Sequence, residues 1–312
     1  MTHTIIGAGG TIGNPLALEL KKYTNQIRLV SRHPKAVAGD ETLIAADVTD
    51  PAALRKAVAG SSIVYCVVGF EYTTAVWQKT WPSFMRSLTD ACLAEGAKLV
   101  FFDNVYMYHP SEIPHMTESS RRAPASQKGK VREEVIRIIE AAAAKGLQYI
   151  IARSADFYGP DNGKSMLVET VLKNQAAGKK AQWLGNGDQP HNFTYTPDAA
   201  KAVALLAQTE DAWNQIWHLP TETDAPSGKD WAKLFATETG GKAQLMVLSP
   251  FFLKVLGVFI PLLREMPEMI YQYTQPYFFD SSKFMQHFPD FQITPVQVGI
   301  AETVRWYQKS KV

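Results

Sequence analysis

Apolar and polar positions follow two periods along the first half of the chain. Predominantly apolar runs at residues 4–6, 27–30 (around Arg28), 42–46, 63–68, 99–102 and 149–152 show no regular polar alternation, as expected of strands in a parallel sheet. Between them the spacing becomes helical. Leu16 and Leu20 lie a turn apart after the first run, and Asp50-Pro51 reads as an N-cap with proline at the first helical position. Trp81-Pro82 opens a further helix in the same way. Over residues 131–144, Val131, Val135, Ile138 and Ile139 share one face, with Glu133 and Arg137 a turn apart on the other. This alternation predicts βαβ units building a doubly wound parallel α/β sheet over residues 1–160. After Gly159-Pro160 the rhythm changes, with longer loops such as Gly185-Asn186-Gly187-Asp188. Residues 191–220 are expected to return to the sheet as a helix (197–206) and a strand (216–219). Residues 161–190 and 221–312 are expected to form a smaller mixed α/β lobe for the substrate.

The first apolar run leads directly into Gly7-Ala8-Gly9-Gly10-Thr11-Ile12-Gly13 and then a helix. Glycines allow a tight turn and close approach to a pyrophosphate, and the helix start offers N–H groups with partial positive charge. The strand, glycine turn, helix and second strand predict a Rossmann-type dinucleotide site. An NAD site usually carries an acid at the end of that second strand; here the residues are Ser31-Arg32-His33. A guanidinium grips a 2′-phosphate where an acid repels it, so the expected cofactor is NADP, with NAD as the alternative.

Composition narrows the classes. A net charge of +2 without a Lys/Arg-rich run gives no electrostatic reason to expect a nucleic acid partner. Two cysteines, Cys66 and Cys92, provide neither a disulfide framework nor a metal cluster, and with a first strand that starts too early for a signal peptide they fit a cytoplasmic protein. The apolar stretch 250–263 is interrupted by Lys254, Gly257 and Pro261, short of the ~20 residues of a membrane span. It reads as a buried or groove-lining helix, with a membrane-surface role as the alternative.

Several stretches resemble the extended short-chain dehydrogenase/reductase superfamily, which contains the NAD(P)-dependent sugar epimerases and dehydratases. Ala46-Asp47-Val48-Thr49-Asp50 resembles its third-strand motif, whose acid reaches the adenine, and Val67-Val68-Gly69 resembles the fourth-strand end beside the cofactor. Arg153-Ser154-Ala155-Asp156-Phe157-Tyr158-Gly159-Pro160 is similar to the family's Arg-x-x-Asn-Val-Tyr-Gly-Pro, with aspartate in place of asparagine. The stretch from Phe193 to Asp198 matches the segment that leads a helix back to the sheet. Narrower matches at Asp103-Asn-Val-Tyr-Met-Tyr108 and Lys128-Gly-Lys-Val-Arg132 resemble a branch labelled epimerase/dehydratase-like. The resemblance implies a cofactor set of Gly7, Gly9, Gly10, Thr11, Ile12, Gly13, Arg32, Asp47, Val48, Val67, Val68, Gly69 and Ala155, together with a lysine.

The resemblance also implies a Tyr-x-x-x-Lys pair, in which the ammonium makes the phenol a usable acid or base and holds the nicotinamide ribose. Aligning Lys130-Val-Arg-Glu-Glu134 with the family's Lys-x-x-x-Glu gives the lysine role to Lys130 and puts Ser126 at the tyrosine position. The Ser/Thr position falls on Asp103 or Asn104, of which the Asn104 amide can polarise a carbonyl. Tyr106 is the first candidate to replace the phenol; Tyr108, Tyr158, Trp183 and His191 are expected on the substrate side. The function implied is an NAD(P)-dependent oxidoreductase or epimerase/dehydratase-like enzyme for a small carbonyl or hydroxyl substrate. A catalytically silent NADP-binding sensor or regulator is the alternative. The helices after Thr80 and Gln127 could pair two copies as a homodimer, and scattered histidines give no metal site.

Overall fold

The computed structural model describes residues 1–248, Glu265 and residues 267–310. The apolar stretch 250–263 lies outside the described residues. Contacts divide the chain into two compact units, the first made of residues 1–107, 128–154 and 199–219, the second of residues 108–127, 155–198 and 220–312.

The first unit holds a seven-stranded sheet in the order β10-β6-β5-β4-β1-β2-β3, every pair parallel. Its strands are β1 (His3–Ile6), β2 (Ile27–Ser31), β3 (Thr42–Ala45), β4 (Ile63–Cys66), β5 (Lys98–Asp103), β6 (Tyr149–Arg153) and β10 (Gln215–His218). The α/β doubly wound architecture is therefore the expected one. β1 and β4 are buried throughout, whereas edge strand β3 is largely exposed. The chain runs from β1 outward to β3 and then back past β1 to β4. That reversal opens a crevice at the carboxyl ends of β1 and β4, the usual ligand position in such sheets.

The flanking helices are α1 (Gly13–Leu20), α2 (Pro51–Val58), α3 (Thr74–Glu95), α4 (Gln127–Ala143) and α6 (Thr196–Gln208). Asp50 caps α2 by accepting from the Ala52 N–H, with Pro51 at the first helical position as expected. Helix α3 corrects the reading of Trp81-Pro82 as a helix start. It begins two turns earlier, where the Thr73 hydroxyl accepts from Val76 N–H, and Pro82 lies inside it. Burial of Trp77, Trp81, Phe84, Met85 and Leu88 on one face offsets the backbone hydrogen bond that the proline forgoes.

The second unit contains two parallel pairs, β7 (Asp156–Tyr158) with β9 (Phe193–Tyr195) and β8 (Ala181–Leu184) with β11 (Leu245–Leu248). A π-helical turn (Leu167–Leu172), α5 (Lys173–Ala176), α7 (Gly228–Thr239), α8 (Ser282–His287) and α9 (Val296–Lys309) also belong to it, with 3-10 turns at Pro110–His115 and Pro267–Tyr273. Its core gathers Tyr158, Trp183, Phe193, Trp231, Phe235 and Ile300. Residues 108–127 join this unit because Met116 bridges Phe279 and its N–H bonds the Phe278 carbonyl at 2.8 Å.

Candidate active-site residues

In the first unit, Gly7 and Gly9 have φ of +102° and +85°, a region that side chains disfavour. A Cβ on Gly7 would lie 2.8 Å from the Val67 carbonyl carbon and the Val68 nitrogen, and one on Gly13 would lie 2.8 Å from the Gly7 oxygen. The turn thus needs the first and last glycines for packing, whereas Gly9 faces open space. Helix α1 starts behind Ile12, whose side chain cannot cap, and its first turn holds no acid. Its N–H dipole is therefore left facing the turn, as a pyrophosphate requires. Val67, Val68 and exposed Gly69 follow β4 at the same edge. Exposed Arg32 directly follows β2. Asp47 accepts from both the amide and the hydroxyl of Thr49, and these bonds, with the nearby charge of Arg32, hold its carboxyl below the usual range.

Lys130 and Lys128 differ sharply in position. Lys130, given the lysine role by the motif alignment, is exposed, whereas Lys128 is completely buried. Helical geometry is the reason: stepping back three residues along the buried stripe of Val131, Val135 and Ile139 reaches position 128, and position 130 falls on the opposite face. The Lys128 ammonium bonds Thr74 Oγ1 at 3.1 Å and lies 4.7 Å from the centre of the Tyr72 ring. The Tyr72 hydroxyl donates to that of Tyr106 at 3.2 Å, and the Tyr106 ring stacks on Trp77. The Tyr106 N–H bonds Asn104 Oδ1 at 3.0 Å, leaving the Asn104 amide nitrogen without a partner among the described residues.

Between the two candidates for the Ser/Thr position, burial decides. Asp103 is 1% exposed, with its carboxylate 3.6 Å from Arg132 Nε and 3.5 Å from Arg153 Nε, whereas Asn104 is half-buried. Burial pushes the Asp103 carboxyl up and the Arg132 guanidinium down, each held back by the other's charge. The Arg132 guanidinium also lies 4.1 Å from the Trp81 ring centre. Asp103 is thus a buried partner of the Arg132 and Arg153 guanidiniums.

The second unit carries the remaining residues. Ser126 is 3% exposed and bonds the phenol of Tyr271, which also accepts from Gln272 at 3.4 Å. Burial and the charges of Glu268 and Asp156 push that phenol upward. Glu268 in turn accepts the Gln127 N–H at 2.8 Å. Ala155 is buried and donates its N–H to Thr194 Oγ1. Tyr108, Tyr158, Trp183 and His191 are each at most 2% exposed, so they correct the expectation of side chains lining a substrate surface. Tyr158 and Trp183 belong to the core because flanking apolar groups enclose them; His191 stacks between Tyr273 and Tyr277 with ring centres at 4.7 and 4.1 Å. The motif spacing found neither Tyr72 nor the Ser126–Tyr271 contact, since both join residues far apart in the chain; Lys128 was legible in the helix stripe. No group of His, Cys, Asp and Glu among the described residues could hold a metal.

The model of the NAD dependent epimerase/dehydratase family matches residues 3–218. An uncharacterized UDP-glucose epimerase of Bacillus subtilis is 20% identical over 215 residues, 65% of this chain and 64% of its own length. A dTDP-glucose 4,6-dehydratase of Escherichia coli is 24% identical over 67% of this chain and 58% of its own. The matched stretch thus spans less than two thirds of either relative. Among solved structures, the UDP-glucose 4-epimerase of Thermotoga maritima with UDP-glucose superposes with a TM-score of 0.80 at 16% identity, covering 100% of both chains. A dTDP-glucose 4,6-dehydratase double mutant of Streptomyces venezuelae with NAD bound gives 0.80 at 15% identity, covering 100% of this chain and 98% of that one.

Proposed function

Because the chain belongs to the NAD dependent epimerase/dehydratase family, we propose that it is an oxidoreductase or epimerase/dehydratase-like enzyme acting on a small carbonyl or hydroxyl substrate with an altered catalytic set. Gly7, Gly9, Gly10, Thr11, Ile12 and Gly13 hold the cofactor pyrophosphate, and the packed glycine cradle supports that fit. Arg32 favours NADP over NAD, although the S. venezuelae structure carries NAD. When bound, the nicotinamide supplies or accepts the hydride.

The observation that carries this reading is the run from Lys128 through Tyr72 to Tyr106 beside Asn104. The Asn104 amide donates to the substrate oxygen, stabilising negative charge that develops there. Tyr106 gives that oxygen its proton, or takes it in the reverse direction. Tyr72 donates to the Tyr106 oxygen as it becomes anionic, and the Lys128 charge favours that state. In this reading Lys128, rather than Lys130, has the lysine role, and Ser126 leaves the proton to Tyr106.

Kinetics of Lys128→Met and Lys130→Met with NADPH and a panel of aldehydes, ketones and enones test it. Lys128→Met should lower turnover by about 100-fold or more, and Lys130→Met should stay within about threefold. The reverse order refutes the assignment. NADPH that binds but is oxidised with no member of the panel supports the silent sensor instead.

A further inference from the structure

Arg132 carries a buried charge that the run from Lys128 through Tyr72 to Tyr106 does not use. It lies on α4 one turn after Lys128, on the same face, and its Nε and Nη1 have no hydrogen-bond partner among the described residues. Asp103 Oδ1 stands 3.6 Å from Nε, beyond hydrogen-bond reach, and Asp103 is shared with Arg153, whose Nε lies 3.5 Å from Oδ2. One carboxylate thus faces two guanidiniums, and burial leaves little water to screen the remaining positive charge.

The other neighbours of the Arg132 guanidinium are aromatic. Its centre lies 5.0 Å from the Trp77 ring centre, 4.1 Å from that of Trp81 and 5.2 Å from that of Phe101. Ring faces attract a cation without neutralising it. Trp77 is also the ring on which Tyr106 stacks, with centres 6.1 Å apart and planes 21° apart. Helix α4 therefore sends two cations, one turn apart, to two rings that both touch Tyr106. Lys128 lies over Tyr72, which bonds the Tyr106 hydroxyl, and Arg132 lies over Trp77, which stacks on its ring. All of these residues belong to the first unit.

The charges agree with this arrangement. Burial pulls the Arg132 guanidinium down, and Asp103, then Cys66 and Tyr106, hold it up, so the phenol lies within electrostatic reach of the guanidinium. Of the titratable groups gathered here, Lys128 and Arg132 on α4 and Arg153 on β6 are cationic, and Asp103 on β5 supplies the carboxylate. Burial pushes the Cys66 thiol on β4 up to about 12, which leaves it neutral, and Tyr72 contributes a hydroxyl.

We propose that Arg132 is a positioning residue for Tyr106: through the shared Trp77 indole it fixes the phenol ring, and its partly compensated charge favours the phenolate that proton transfer leaves behind. This deepens the reading above and rests on Tyr106 as the proton donor.

Titration of the Tyr106 phenol in the full chain tests it, followed by NMR with tyrosine labelled at Cζ; the Tyr106 signal is the one absent from Tyr106→Phe. Arg132→Met should raise the proton affinity of that phenol about tenfold or more. Arg132→Lys, which keeps the charge but not the flat guanidinium, should stay within about threefold of the wild type. Asp103→Asn removes the opposing charge and should lower the proton affinity about threefold or more. Arg132→Gln, which keeps a donor toward Asp103, replaces Arg132→Met if that variant does not fold. An unchanged titration in the neutral variant overturns the assignment, as does a rise in Asp103→Asn. A shift in Arg132→Lys equal to that in the neutral variant also overturns it, because it makes Arg132 a packing residue alone. The pH profile of NADPH oxidation should follow the same order. The expected NMR titrations without turnover of any aldehyde, ketone or enone would refute the enzyme reading and leave the effect of Arg132 on Tyr106 standing.

Discussion

Substituting the glycines of the cofactor turn one at a time separates two costs that the structure assigns to different positions. At Gly9, φ is +85° and an added Cβ meets nothing within 4 Å, so alanine pays only for its backbone conformation, about 1–2 kcal/mol. At Gly7, φ is +102° and the added Cβ lies 2.8 Å from Val67 C and Val68 N and 2.9 Å from Val67 O. These are backbone atoms following a buried strand and cannot rotate away. Overpacking of this kind adds about 1–3 kcal/mol, so Gly7→Ala should cost about 2–5 kcal/mol in total. Gly13 lies in helix α1, where alanine gains up to about 1 kcal/mol in propensity, but its Cβ would stand 2.8 Å from the Gly7 oxygen. Its net cost should fall below that of Gly7→Ala. Urea unfolding followed by tryptophan fluorescence gives the order, and quenching or enhancement of NADPH fluorescence gives cofactor affinity. Gly9→Ala should lose cofactor affinity out of proportion to its stability loss, because its Cβ enters the space left for the ligand. Equal destabilisation by Gly7→Ala and Gly9→Ala would refute the packing account of the turn.

Two further outcomes are expected. Arg32→Ala should weaken NADP binding by about 10- to 100-fold while NAD affinity stays within about threefold, read by fluorescence titration at low and high salt; equal losses for both cofactors would remove Arg32 from 2′-phosphate recognition. His3 is buried against the Tyr65 hydroxyl, and burial, then the nearby amino terminus, lowers its pKa from 6.5 to about 4. The folded state then holds fewer protons than the unfolded state between these values, so the His3 contribution is fully present above pH 6.5 and is lost as pH falls toward 4. Denaturation midpoints should register a loss of about 2–3 kcal/mol across that window, absent in His3→Gln; an unchanged pH profile in the variant would exclude His3 as the source.

The sheet was legible because its inner strands are buried and stand out as predominantly apolar runs. β1 to β6 lie within about two residues of those runs, as expected where burial rather than local propensity sets the strand. Pro82 lies inside α3 rather than at its start because five large side chains on the inner face hold the helix through the proline. For the site, the glycine turn was legible because backbone conformation demands glycine at fixed spacing. The motif alignment points to Lys130, whereas the helical stripe of α4 already places Lys128 inside. Asn104 could be named but not separated from Asp103, since only the guanidiniums of Arg132 and Arg153 reveal which of the two is enclosed. Contacts such as Tyr72 with Tyr106 or Ser126 with Tyr271 leave no periodic trace in the chain.

The sheet also carries a consequence for biosynthesis. β10 pairs along β6, with Gln215 beside Ile150 and His218 beside Arg153, yet the intervening residues 155–198 belong to the other unit. As the chain leaves the ribosome, β6 emerges with one row of peptide groups bare, and it stays so until His218 has followed. An apolar edge such as Ile150-Ile151-Ala152 is then open to the wrong partner for the time that stretch takes to translate. Slowing elongation between those two strands should therefore raise the aggregated fraction, even though the finished fold is unchanged.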